Sequence, residues 1–330
     1  MKILVTGGCG FIGSNFIKYI FENKEQFDIE KIINLDKETY AGRSKNLEHM
    51  GIAESRLYTG IKGDICDEKL VKKVFSEYSP ELVFNFAAES HVDNSINESL
   101  AFIKTNINGT GVLLDAAANQ NVEKFVQIST DEVYGSLEKN SESSKENDLL
   151  KPRSPYSASK AGAEHLALSY FYTHGLPVII TRSSNNYGPY QHWEKFLPKF
   201  ITNLILGKKV PLMWNDKNPG LNIRDWLHVE DNCRAIWLIS KKGNAGEIYN
   251  IAGKNEKTNI EMTRLLLDYF NFREEMIEKV QHRKGHDFRY SINDNKLRKM
   301  GFNNSHKNLE EDIFELCKWY EQNKNWWMKE

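Results

Sequence analysis

The segment KILVTGGCGFIG, Lys2 to Gly13, passes from a short β-branched run directly into glycines at positions 7, 10 and 13. The run reads as a buried strand, and the glycines permit what bulkier residues forbid. They allow a tight turn, a close approach of backbone to a pyrophosphate, and close packing of the following helix on the strand. The helix N-terminus then offers unpaired N–H groups and a partial positive charge to an anion. The spacing is GxxGxxG rather than GxGxxG, so its weight depends on what surrounds it.

The surroundings are consistent with it. KIINLD, LVFNFAA, KFVQIST and VIITRSS are brief and rich in Val, Ile and Phe. Between the first four strand candidates lie segments of helical period, Ser14 to Phe21, Asp67 to Tyr78 and Leu100 to Asn119. Apolar runs without alternation belong to strands buried on both faces, hence to a parallel sheet covered by helices. The predicted fold is α/β, a Rossmann-type doubly wound parallel sheet with a smaller mixed α/β lobe. Residues 1–177 are expected to form the dinucleotide domain, with a returning strand near 178–184. Residues 185–330 are expected to form the second lobe, partly interleaved with the first domain. In that lobe a turn-rich stretch, WNDKNPGLN, precedes the strand EIYNIA, a helix from Ile260 to Phe270, and a terminal amphipathic helix ending in Trp326-Trp327.

Composition excludes several classes. The 44 basic and 45 acidic residues nearly cancel, and no basic run interleaves with the seven tryptophans, so neither nucleic acid nor an anionic membrane is an expected partner. No apolar run has the length of a membrane span, and the N-terminus is too short and glycine-rich for a signal sequence. Cys9, Cys66, Cys233 and Cys317 stand outside any CxxC or Cys/His ligand spacing, which argues for reduced thiols, no metal and a cytoplasmic location. His91 and His228 show no partner at ligand spacing and read as structural. Trp319, Trp326 and Trp327 read as packing for the last helix.

The second strand ends in Asp36, where a carboxylate grips ribose hydroxyls and repels a 2′-phosphate; NAD is therefore favoured over NADP, with Lys37 adjacent. Asp64 and Ile65 fall near the end of a third strand, beside the expected adenine. In SPYSASKAGAEH, Pro155 suits a first helical turn, and the i,i+4 spacing puts Tyr156 and Lys160 on one face. A phenol with a pKa near ~10 becomes a base only where neighbouring cations favour the phenolate. Thr130, Asp131 and Glu132 sit at the carboxyl end of a strand, where ligands of such sheets bind. Consecutive carboxylates there can serve as separate acid and base.

TGGCGFIGS, NLDKETYAG, GDICD, NFAAESHVDNS, STDEVYG, YSASK, TRSSNNYGPYQ, EKFLPKF, IRDWLHVED, YNIAGKNEKTN and KGHDFRY follow one another in this order. Together they resemble the dTDP-glucose 4,6-dehydratase branch of the extended short-chain dehydrogenase/reductases, over nearly the whole chain. STDEVYG is the most specific piece, because related epimerases lack the Asp-Glu pair. The resemblance implies a tightly held NAD that is used and restored in each turnover. Tyr156 with Lys160 would act at the sugar C4, Glu132 would take the C5 proton, and Asp131 would protonate the departing 6-hydroxyl. It adds Phe11, Ile12, Thr39, Ala87, Ala88, Thr105 and Asn186 to the cofactor set, with Asn106 beside Thr105. It assigns the nucleotide sugar to Ser90, Thr130, Asn185, Lys195, Phe196, Lys199, Arg224, Asn259, Asp287 and Tyr290. It also implies a homodimer through the helices around Leu100–Asn119 and Ser157–His174. Met213-Trp214 and Lys199 depart from the family pattern, which leaves dTDP- and UDP-linked hexoses both open. A nucleotide-sugar 4-epimerase is the alternative enzyme, and a non-catalytic NAD-binding scaffold the alternative of another class.

Overall fold

The computed structural model describes residues 1–282 and 285–328; Lys284 of the KGHDFRY motif lies outside them. Thirteen strands are seen among the described residues: β1 (Lys2–Thr6), β2 (Lys31–Asp36), β3 (Tyr58–Lys62), β4 (Leu82–Asn85), β5 (Lys124–Thr130), β6 (Val178–Ser183), β7 (Asn185–Tyr187), β8 (Val210–Asn215), β9 (Asn218–Pro219), β10 (Ile223–His228), β11 (Ile248–Ile251), β12 (Glu256–Thr258) and β13 (Ile277–Val280). Seven of them form one sheet in the order β11-β6-β5-β4-β1-β2-β3, with every neighbouring pair parallel. The chain winds outward from β1 to β3, then returns to place β4 on the other side of β1. Helices therefore leave the carboxyl ends of β1 and β4 on opposite faces, which opens a crevice between them.

Both faces of the sheet are buried, as the unbroken apolar runs require. Helices Phe11–Glu22 and Val229–Lys242 cover one face around Phe16, Ile17, Ile236 and Trp237. Helices Glu68–Tyr78, Thr110–Asn119 and Pro155–His174 cover the other around Val71, Phe75, Leu113 and Leu114. A second core joins helices Phe196–Ile205, Asn259–Tyr269 and Leu309–Gln322 around Phe200, Leu266 and Tyr320. β11, from the C-terminal half, completes the main sheet beside β6.

Three local outcomes differ from the sequence reading. Leu100–Asn119 is not one α-helix: a π-helical segment, Ile103–Gly109, separates Ser99–Phe102 from Thr110–Asn119. Side-chain bonds hold that wider turn. Asn106 accepts from the Glu89 N–H and donates to the Glu89 carbonyl and the Ser159 hydroxyl, while Thr110 donates to the Asn106 carbonyl. The terminal helix ends at Gln322, and a separate short turn, Lys324–Trp327, carries the last two tryptophans. The turn-rich stretch is a hairpin, because the Asn215 carboxamide oxygen accepts the N–H groups of Lys217 and Asn218 and folds β8 onto β9. No helix among the described residues is long and apolar enough to cross a membrane.

Candidate active site

The crevice at the sheet's switch point is a cleft of about 310 Å³. Its floor is the glycine segment. Gly7 has φ of 71°, and a Cβ there would stand 2.6 Å from the Ala87 nitrogen; a Cβ on Gly13 would stand 2.3 Å from the Gly7 carbonyl. These two positions accept only glycine. Gly10 caps the helix Phe11–Glu22 with no side chain of its own and no capping hydrogen bond. An anion at this helix start would therefore meet backbone N–H groups rather than a side chain.

Every residue expected to hold the dinucleotide lines this cleft, from Gly7 to Asn186. Asp36 does more than expected. Its carboxylate accepts the Cys9 N–H at 2.8 Å and the Glu38 N–H at 2.7 Å, so it also braces the glycine segment from behind. Burial raises its pKa, against those hydrogen bonds. Lys37 is engaged by Asp64 at 2.8 Å. Thr105 faces the cleft, whereas Asn106 is fully occupied behind it.

Opposite the glycines stand the chemical groups. Ser154 and Ser157 form a capping box that fixes the start of helix Pro155–His174, so Tyr156 lies in its first turn and Lys160 one turn on. Lys160 is 4% exposed and donates to the Ile128 carbonyl at 2.6 Å. Burial lowers its pKa to about 8, with Glu164 opposing. Burial, then Glu132 and Asp131, push the pKa of Tyr156 far up, and only a hydrogen bond with Thr130 opposes them. A phenolate therefore requires a further cation in the cleft, beyond Lys160.

Asp131–Tyr134 forms a 3₁₀ turn capped by Thr130, not the extended segment expected. Successive side chains on such a turn diverge by roughly 120°, so the two carboxylates still part. Asp131 is 3% exposed, its outer oxygen has no hydrogen-bond partner, and burial followed by the charges of Glu132 and Asp225 raise its pKa well above normal. Its surroundings thus favour the neutral acid over the carboxylate. The linkage has a definite sign. Above the ordinary Asp value the unfolded chain ionises freely while the folded one resists, so the penalty on folding grows as pH rises. Asp131→Asn is accordingly expected to melt higher than wild type at pH 8, with a gain that shrinks toward pH 4. Thermal melts across pH would show it; an equal or lower melting temperature at pH 8 contradicts the assignment.

Of the expected substrate residues, Ser90, Thr130, Asn185 and Lys195 line the cleft, and Lys195 donates to the Ser90 carbonyl at 3.0 Å. Six others do not. Lys199 is exposed on the outer side of its helix, because in FLPKF Leu197, Pro198 and Phe200 take the buried positions. Phe196 packs on Phe200 and Trp226, and Asn259 begins the helix that follows β12. Arg224, Asp287 and Tyr290 form a cluster of their own. The guanidinium lies 4.4 Å from the Tyr290 ring centre, and Tyr290 donates to Asp287 at 2.6 Å. Arg224 is buried and does not pair with Asp225, whose oxygens accept the N–H groups of Gly253 and Asn255. The cluster borders Asp131 and Glu132, since Arg224 acts on Asp131 and Glu132 acts on Tyr290.

Sequence reasoning passed over Glu89, Gln191 and His192, which also line the cleft, and Arg153, which meets Asp287 at 3.2 Å. Gln191 closes the quoted YGPYQ motif and His192 follows it, so that signal was present. His228 has partners in space that its sequence spacing does not show: its ring stacks on His306 at 3.5 Å with planes 22° apart, and Glu230 lies close enough to share an ion with both. Burial lowers His306, but the carboxylates of Glu230 and Asp312 outweigh it and lift its pKa to about 9. Stacked rings aim their nitrogens side by side, which suits an imidazole–imidazolium pair better than tetrahedral metal donors.

A doubly wound sheet, a glycine segment at its switch point and a Tyr-x-x-x-Lys helix facing it define a dinucleotide-dependent enzyme of the short-chain dehydrogenase/reductase type. The chain belongs to the GDP-mannose 4,6 dehydratase family, whose model matches residues 4–310. It is 43% identical to the dTDP-glucose 4,6-dehydratase of Streptomyces niveus, across 99% of this chain and 95% of that protein. Its fold matches the crystal structure of a dTDP-glucose 4,6-dehydratase from Streptomyces venezuelae with NAD bound, at a TM-score of 0.94 and 42% identity over 99% of each chain. A UDP-glucose 4-epimerase from Thermotoga maritima matches at a TM-score of 0.88 and 28% identity, over 98% of this chain and 100% of that one.

Proposed function

We propose that this chain is an NAD-dependent nucleotide-sugar 4,6-dehydratase, a hydro-lyase converting an NDP-hexose to the NDP-4-keto-6-deoxyhexose. The observation that carries the reading is the pair Asp131–Glu132 beside Tyr156, in a cleft whose other half fits a dinucleotide. The glycine segment and the start of helix Phe11–Glu22 would hold the pyrophosphate, Asp36 the ribose, and Asp64 with Ile65 the adenine. Bound there, NAD supplies the two-electron acceptor that oxidises C4 and is restored when C6 is reduced, and its cationic ring favours the Tyr156 phenolate.

The side chains then divide the acid–base work. Thr130 holds the 4-hydroxyl while Tyr156 takes its proton. Oxidation at C4 must come first, because an unactivated C5–H is far too weak an acid. The new ketone acidifies that proton, and Glu132 removes it. Asp131, whose burial favours its acid form, donates to the 6-hydroxyl so that water leaves. Lys160 is buried beneath this group and remains largely ammonium at neutral pH, which adds to the positive potential. Residues 1–177 with the strand near 178–184 would serve the dinucleotide, and residues 185–330 the nucleotide sugar.

The relatives at 42–43% identity are named for dTDP-glucose, which favours a thymidine-linked substrate over a UDP-linked one. A homodimer draws support from Leu100, Ile103 and Tyr172, exposed on the helices expected to pair, and a cytoplasmic location is consistent with four free cysteines. The 4-epimerase alternative shares Tyr156 and Lys160 but has no use for a buried Asp131 that favours its acid form. Mass spectrometry after incubation with dTDP-glucose, UDP-glucose and UDP-N-acetylglucosamine separates these readings. The expected result is loss of one water from dTDP-glucose without net NADH. An isomer of unchanged mass with any of them would favour the epimerase, and inertness toward all three would count against enzymatic action on these sugars.

A further inference from the structure

We propose that Arg43 is a latch that holds the two halves of the cleft together and slows escape of the dinucleotide. The inference rests on NAD being the occupant proposed above. Arg43 follows Gly42 and Trp193 follows His192, and both Gly42 and His192 line the cleft although they are distant in sequence. The guanidinium lies 5.1 Å from the Trp193 ring centre and 5.5 Å from that of Trp326, within cation–π range of both. It also donates to the Trp326 carbonyl at 3.2 Å.

The first of these segments bonds directly to the glycine loop, and the C-terminal turn reaches it through Asn46. The backbone N–H of Arg43 and the carboxamide of Asn46 both donate to the Cys9 carbonyl, each at 2.9 Å. Asn46 in turn accepts from the Trp326 indole at 2.9 Å. The C-terminal turn therefore buttresses the pyrophosphate loop through Asn46, while Arg43 ties that loop to the segment carrying Gln191, His192 and Lys195. A dinucleotide leaving the cleft must part these segments, and the stacked guanidinium opposes the parting. Arg43 touches no reacting atom in this account; it is a positioning residue.

The test is the rate at which isotopically labelled NAD leaves the loaded protein under a chase of unlabelled NAD, read beside the melting temperature. Arg43→Ala and Trp193→Ala are each expected to speed release on the order of tenfold, with Arg43→Lys between them and wild type. The Arg43→Ala/Trp193→Ala double variant is expected to release no faster than about Arg43→Ala alone, since that variant already removes the contact with Trp193. Both positions are only half-buried, so the melting temperature without ligand is expected to stay near that of wild type. Release within about twofold of wild type in both single variants overturns the latch while leaving the NAD reading intact. A wild-type protein that retains no NAD overturns that reading, and the latch with it.

Discussion

Glu132→Gln is expected to halt catalysis after the first step. The amide keeps the shape of the side chain but cannot accept the C5 proton, so turnover should fall by ~10²–10⁴. Oxidation at C4 depends on Tyr156 and Thr130, which the substitution leaves in place. Mixing the variant with dTDP-glucose should therefore build up the absorbance of enzyme-bound reduced nicotinamide, with little 6-deoxy product. Full turnover by Glu132→Gln, or loss of the nicotinamide signal with retained NAD and substrate binding, would move the C5 base elsewhere.

Tyr156→Phe is expected to fail one step earlier, and the contrast identifies the order of events. Without the phenol nothing accepts the 4-hydroxyl proton, so neither reduced nicotinamide nor product should accumulate, and turnover should again drop by at least ~10²-fold. The phenol is buried beside two carboxylates that oppose its ionisation. Held neutral by those carboxylates, it carries no charge to lose, so the variant should remain folded and still bind the dinucleotide. A Tyr156→Phe protein that reduces its nicotinamide as fast as wild type would contradict the assignment of this proton transfer.

The parts of the site that could be read from sequence are those built from local spacing. The glycines need only their strand and helix, and Tyr156 and Lys160 need only one helical turn, so their geometry follows from a few consecutive residues. Asp131 and Glu132 were recognisable because they terminate a strand, although their 3₁₀ turn was not foreseen. What escaped depends on partners distant in the chain. The π-helical turn at Ile103–Gly109 is held by Asn106 bonding to Glu89 and Ser159. The His228–His306 stack joins the end of β10 to the loop before the last helix. Lys199 was assigned by its place in a motif, but helical phase turns it outward. Arg224 was assigned to the nucleotide sugar by its motif and is buried instead, because Asp287, Phe288 and Tyr290 fold over it.

The electrostatics could not be anticipated from composition at all. Asp131 and Lys160 carry ordinary side chains whose behaviour is set by burial, one pushed toward the neutral acid and the other toward the neutral amine. The shift of Asp131 toward its acid form is what fits it for the acid's part in an Asp-Glu pair.

The central claim is that C4 is oxidised, water leaves across C5 and C6, and the same hydrogen returns to C6 within one active site. The most direct test is turnover of dTDP-glucose carrying deuterium at C4, with the product analysed by mass and NMR. The account predicts a product lacking one water and bearing the deuterium on C6. Deuterium still on C4 of an unchanged-mass epimer, or a dehydrated product with its deuterium lost to solvent, would contradict it.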